Sequence, residues 1–135
     1  MKKESILYRK LDNKLVQCLT CNHKCYIKPS KFGFCGVRKN IDGKLFNMFY
    51  GFAISENIDP IEKKPIYHYL TDTNTLTFAS AGCNFCCHWC QNWQISQITK
   101  THDREEVLKQ CFELTPSKIV KDAISNQPQA LKGWK

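Results

Sequence analysis

An α/β chain is expected, with a small β module at its N-terminus that carries a cysteine-rich metal site and an α/β unit behind it. Three observations point there. Residues 1–50 carry two hairpin patterns around Cys18, Cys21, Cys25 and Cys35. Residues 75–80 alternate as a strand and run directly into a second cysteine group, and residues 103–124 carry two helical patterns. At 135 residues and 15.7 kDa the chain has the size of one ordinary domain, against roughly 250 residues for a complete eight-stranded barrel.

Within the β module, Ile6, Tyr8, Leu15 and Val16 alternate loosely on either side of Asp12-Asn13, which predicts two strands joined by a polar turn. A second hairpin pairs Cys35–Arg38 with Lys44–Tyr50 across Asn40-Ile41-Asp42-Gly43, whose Asp-Gly step favours positive backbone dihedrals. Residues 51–72 are irregular, and Asp59-Pro60 and Lys64-Pro65 break any helix, so a surface connecting segment is expected. The unit from 73 to 135 opens with the strand at 75–80. Val107, Leu108, Cys111 and Phe112 then recur at helical spacing between Asp103 and Leu114. Thr115-Pro116 supplies an N-cap and a first-turn proline for another helix to about Ile124, after which the apolar pattern fades.

Hydrophobic residues at 42%, charged residues at 24% and 16 aromatics place the chain among folding sequences. Eight of the nine cysteines fall in two tight groups, whereas disulfide frameworks spread theirs along a secreted chain, so metal is the expected use. Ile6-Leu7-Tyr8 is too short an apolar run for a signal peptide, and no stretch is long enough to span a bilayer. A reducing cytoplasm and no membrane partner are expected. The formal charge of +8 taken alone would suit nucleic acid. Thiolates bound to metal would remove several of those units, and Lys14, Lys24, Lys28, Lys31 and Arg38 around the first cysteine group offset such charge, so no nucleic-acid partner is expected.

Chemistry concentrates in residues 82–93, Gly-Cys-Asn-Phe-Cys-Cys-His-Trp-Cys-Gln-Asn-Trp. Cys83, Cys87 and Cys90 have the spacing C-x3-C-x2-C, and three thiolates on one short loop can take three corners of a four-iron cluster. One iron then lacks a protein ligand in this segment, which suits a catalytic centre better than a saturated electron carrier. The rival register, Cys83-x2-Cys86 with Cys90, would be a zinc-like knuckle.

The spacing C-x3-C-x-aromatic-C after a strand and a glycine, with Trp89 in the aromatic slot, resembles the radical S-adenosylmethionine (SAM) superfamily. Three longer stretches narrow the likeness: Asp59 to His68, Gly82 to Gln97, and Cys18-x2-Cys21-x-His23-x-Cys25 with Gly33 to Arg38. Over residues 15–124 the chain is similar to the radical SAM member of the AmmeMemoRadiSam system, homologues of pyruvate formate-lyase activating enzyme. The resemblance implies a radical SAM (β/α) barrel and a [4Fe-4S] cluster on Cys83, Cys87 and Cys90 whose open iron chelates S-adenosylmethionine. It further implies reductive cleavage to methionine and a 5′-deoxyadenosyl radical that takes hydrogen from a substrate, with the electron drawn from a donor such as a ferredoxin or flavodoxin. Trp89 suits a place beside the adenine, with packing inside the loop as the alternative; His88 reads as a solvent-facing spacer, and Gln91, Asn92 and Trp93 either position the loop or are ordinary turn residues.

For the first cysteine group three readings stand. Cys18-x2-Cys21 is a good knuckle but Cys25-x9-Cys35 is not, leaving a structural zinc, a second iron–sulfur cluster, or reduced thiols packed in a small core; His23 could replace one cysteine. Cys111, on an apolar helix face, is expected to be a buried small hydrophobe. The charged run from Asp59 to His68 is expected to be a solvated connector rather than a catalytic group.

Only 45 residues follow Cys90, too few for about six βα units, so an incomplete barrel is expected: a truncated or frameshifted product, or half of a split enzyme. The expected function is that of a radical SAM protein present as its N-terminal portion and inactive alone. A non-catalytic iron–sulfur or zinc-binding module is the alternative.

Overall fold

The computed structural model of the protein describes residues 2–125. The chain begins with β1 (Lys3–Glu4) and β2 (Tyr8–Lys10), followed by a 3-10 turn at Asp12–Lys14 and by β3 (Val16–Cys18) and β4 (Tyr26–Ile27). The hairpin β5 (Arg38–Ile41) and β6 (Lys44–Asn47) comes next, then β7 (Phe52–Ala53) and β8 (Ser55–Pro60). After a 3-10 turn at Ile61–Lys63 and the strand β9 (Asn74–Ala79) come α1 (Trp93–Ser96), α2 (Ile98–Thr101), α3 (Arg104–Gln110), β10 (Phe112–Glu113) and α4 (Pro116–Ser125). The strands form two three-stranded sheets, β2-β3-β4 and β1-β6-β5, and two pairs, β10-β7 and β8-β9; every strand pairing among the described residues is antiparallel.

Both expected hairpins form. Tyr8 lies opposite Cys18 and Lys10 opposite Val16, with Asn13 and Lys14 supplying positive φ in the turn between them. In the second hairpin Asp42 at φ 52° and Gly43 at φ 83° form the tight connection that an Asp-Gly step favours. That strand starts later than expected, at Arg38. Cys35 lies in a turn closed by the Gly36 N–H donating to Gly33 O, 2.9 Å.

Val16, Cys18, Ile27 and Leu45 form one small core, with Tyr8 and Cys25 packed against it. Asn40, fully buried, ties the two sheets together: Nδ2 donates to Lys14 O (2.8 Å) and Ile27 O (2.7 Å), and Oδ1 accepts from the Gly43 N–H (2.9 Å). Each of these bonds satisfies a polar group that would otherwise be costly to bury. A second core gathers Phe49, Ala81 and Val107, with Val37, Ile54, Ile98 and Cys111 at its margin. It joins the N-terminal hairpins to the helices.

Residues 51–72 are not an irregular connector throughout. Ser55 to Pro60 pair over six positions with Asn74 to Ala79, and Pro60, opposite Asn74 at the strand's end, is where the ladder tolerates a residue without an N–H. Prolines that forbid a helix here leave a strand permitted. Only 61–73 connects the two strands, and its Lys63 and Lys64 donate back to Asp59 near the end of β8 (2.8 and 2.7 Å), which together hold that carboxyl down to about 2. The charged run is thus an ion-pair cluster at a strand end.

The helix expected from 103 to 114 stops at Gln110. Asp103 caps it, accepting from the Glu105 and Glu106 N–H groups, and Cys111 ends it in extended conformation so that β10 can pair with β7. Burial pushes the Cys111 thiol up, and Sγ donates to Val107 O at 3.3 Å, in keeping with a packed, unreactive side chain. The last helix starts at Pro116 as expected, with the Lys118 N–H donating to Thr115 Oγ1 at 3.2 Å. Residues 126–135, where both the apolar pattern and the family likeness fade, lie outside the described residues.

Candidate metal centres

Strand β9 ends at Ala79, and the second cysteine group follows at once, as the alternating pattern implied. Ala81 is buried in the second core and anchors the loop's first residue. Gly82 then takes φ 88° and donates its N–H to Ile95 O at 3.0 Å. A Cβ there would meet Val37 Cγ2 at 2.6 Å and Cys35 O at 2.8 Å, so only glycine fits. The loop is therefore pinned at its root against the turn that carries Cys35.

Beyond that root the side chains open to solvent. Cys83 and Cys90 are half-buried, while Cys86, Cys87 and His88 are exposed, and Trp89 is 87% exposed. Trp89 does not pack inside the loop, which leaves its ring faces free. The Phe85 N–H donates to Cys83 Sγ at 3.4 Å, and Cys90 Sγ lies 3.4 Å from Ser96 Oγ. Cys86 is engaged elsewhere: Sγ donates to Gln97 Oε1 at 3.5 Å and accepts from Lys100 Nζ at 3.2 Å. Gln97 Nε2 and Lys100 Nζ also both donate to Phe85 O, at 3.0 and 2.8 Å.

Ser96, Gln97 and Lys100 thus hold the loop; Ser96 and Gln97 fall within the stretch that carries the resemblance, but their roles here could not be read from it, because their partners are backbone carbonyls and thiols set by the fold. Asn92 and Trp93 meet the loop's end through their backbone, as ordinary turn residues do. Trp93 donates its N–H to Cys90 O (3.2 Å), and Asn92 O accepts from Ser96 N (2.9 Å) to start α1.

The first cysteine group surrounds a cavity of about 420 Å³. Cys18 ends β3, Cys25 precedes β4, and the Cys18 N–H donates to Cys25 O at 2.9 Å. A turn closed by the Lys24 N–H on Cys21 O (3.1 Å) presents Cys21 and His23, and Cys35 comes from the turn before β5. All four thiols, His23 and Arg38 line the cavity, and so does Cys83 of the second group. Among the described residues, no group of three or more His, Cys, Asp or Glu side chains stands gathered to hold a single metal ion. All nine cysteines are free.

The two groups meet across one joint. His23 donates from Nε2 to Asn84 O at 2.6 Å and stacks on Phe34 at 4.3 Å, and the Lys100 ammonium lies 4.3 Å from the other ring's centroid, that of Phe34. Thr99, fully buried, donates to Cys35 O at 2.9 Å.

No family model and no solved structure matches the chain. It is 43% identical over 122 residues to the uncharacterized protein MJ0808 of Methanocaldococcus jannaschii, a match covering 90% of this chain and 35% of that protein. It is 27% identical over 105 residues to the uncharacterized protein MJ0674 of the same organism, covering 77% of this chain and 25% of that protein. The chain therefore spans about a third of the length of one relative and a quarter of the other.

Proposed function

We propose that this chain is the cluster-binding portion of a radical SAM protein of the AmmeMemoRadiSam type, with Cys83, Cys87 and Cys90 as ligands of a [4Fe-4S] cluster. The observation that carries the reading is the partition of four neighbouring thiols: Gln97 and Lys100 engage Cys86, the cysteine that the C-x3-C-x2-C register leaves out. The donor set fits the group. Three free cysteines follow a strand's C-terminal end on one accessible loop, and ligands around four irons stand farther apart than the about 3.8 Å between thiolates sharing one zinc. When bound, the cluster supplies the electron that cleaves the sulfonium of S-adenosylmethionine.

The chain's own residues prepare that site. The Phe85 N–H is aimed at Cys83 Sγ, and the Ser96 hydroxyl lies within hydrogen-bond reach of Cys90 Sγ, so both sulfurs are oriented by the loop and α1. Trp89, with both faces free, offers an adenine platform. The excess of basic residues favours an acidic electron donor such as a ferredoxin or flavodoxin in a reducing cytoplasm. No helix among the described residues is long and apolar enough to cross a membrane.

A non-catalytic iron–sulfur or zinc-binding module is the second reading, favoured by the antiparallel pairing of all described strands, which supplies no parallel barrel wall around the loop. Anaerobic reconstitution followed by SAM and a strong reductant separates the two. The first reading expects a cluster that binds SAM and at most slow, uncoupled release of 5′-deoxyadenosine from the isolated chain, because the loop is open to water. A reconstituted cluster that neither binds nor cleaves SAM would leave the non-catalytic module standing.

A further inference from the structure

The cavity between the two cysteine groups has three features that a packed thiol core does not explain. First, Cys18 is buried in the core and Cys25 packs at its edge, but Cys21, Cys25 and Cys35 are half-buried and line open space. Second, Lys24 adopts φ 45°, a left-handed conformation costing a non-glycine residue about 1–2 kcal/mol, in the turn that brings Cys21 and Cys25 to one wall. Third, Arg38 lines the same cavity, and its Nε is buried without a hydrogen-bond partner among the described residues. Arg38 is otherwise half-exposed, but this Nε lacks an acceptor that an anionic centre in the cavity would supply. The core holding this module is four residues, small enough that a cross-link would contribute much of its stability.

We propose that Cys18, Cys21, Cys25 and Cys35, which line this cavity without being gathered on one point, close on a thiolate-ligated metal centre counterbalanced by Arg38, and that the filled module clamps the neighbouring loop at Asn84 through His23. Binding replaces the four thiol protons, released to solvent, by metal–sulfur bonds, and the resulting anionic centre faces Arg38. Fixing the 21–25 turn fixes His23, whose ring bonds Asn84 O, one residue beyond Cys83. The centre does not depend on the loop carrying a cluster of its own.

The test uses the full chain with Cys83, Cys87 and Cys90 all changed to Ser, so that the loop cannot contribute metal. One arm supplies zinc(II) alone, and the other supplies iron and sulfide without oxygen. About one zinc, or one iron–sulfur cluster, per chain is expected, and either result supports the centre while naming its metal. Alkylation of Cys21, Cys25 and Cys35 should fall on loading; Cys18 is too buried to report. Hydrogen exchange at 82–86 should slow by about tenfold on loading. His23→Ala should keep the metal and lose that slowing. A folded chain that takes up neither metal overturns the centre, and a loop equally protected with and without metal, or with and without His23, overturns the clamp. If the triple variant does not fold, the unmutated chain loaded with zinc alone is mapped by alkylation. Shielding of Cys21, Cys25 and Cys35 supports the centre, and reactivity equal to that of the metal-free chain overturns it.

Discussion

The two cysteine groups are built by opposite means. In the first, Cys18 and Cys25 flank paired strands and touch a core, so the backbone positions them before any side chain does. In the second, strand pairing ends before Cys83, and the loop is held by Gln97, Lys100 and Ser96 reaching into it from short helices. A site set by sheets has its flanking backbone in place before it is filled. One set by side-chain hydrogen bonds at an exposed surface opens at low free-energy cost, as the proposed cofactor loop would require.

The sharpest way to break this contrast is within the loop. Cys87→Ala should abolish iron incorporation at the loop, whereas Cys86→Ala should retain it; iron and sulfide counts with visible absorption decide between them. The opposite result would assign Cys86 to the site and make the Lys100 and Gln97 contacts incidental.

Stability should divide the regions next. Leu45→Ala removes a fully buried side chain and should cost about 2–5 kcal/mol in urea unfolding. Phe85→Ala, at a loop position 63% exposed, should stay within about 0.5 kcal/mol. Comparable losses would mean that the loop is as integral to the fold as the sheets.

The smallest effect belongs to the β8–β9 end. With Lys63 and Lys64 beside it, Asp59 has a folded pKa of about 2, below the roughly 3.9 of an unfolded aspartate. Its contribution is fully present above pH about 4 and is lost as pH falls from there through 2. Acid titrations of Tm should therefore show a shallower decline over that window in Asp59→Asn than in the parent chain.

Much of this was legible in the chain. The Asp42-Gly43 turn, the alternation at 75–80 and the Thr115-Pro116 helix start are local signals, and local chemistry decides such features. Strand β8 was not legible, because Ser-Glu-Asn-Ile-Asp-Pro has little strand character and is held by its partner β9. The cysteine spacing singled out both thiol groups as candidates. The joint between them was invisible, since His23 with Asn84 and Thr99 with Cys35 are contacts across 61 and 64 residues, with nothing in either segment to announce the other.

That joint also bears on the order of assembly. A Cβ on Gly36 would stand 2.6 Å from Thr99 O, and one on Gly82 would stand 2.9 Å from Thr99 Oγ1, so three chain segments converge on a single threonine without room for a methyl group. The hairpins β2-β3 and β5-β6 close short loops and can form early, whereas Thr99 must close a span of 64 residues to reach Cys35. On a growing chain the first cysteine group is therefore complete before the second has a wall to rest against.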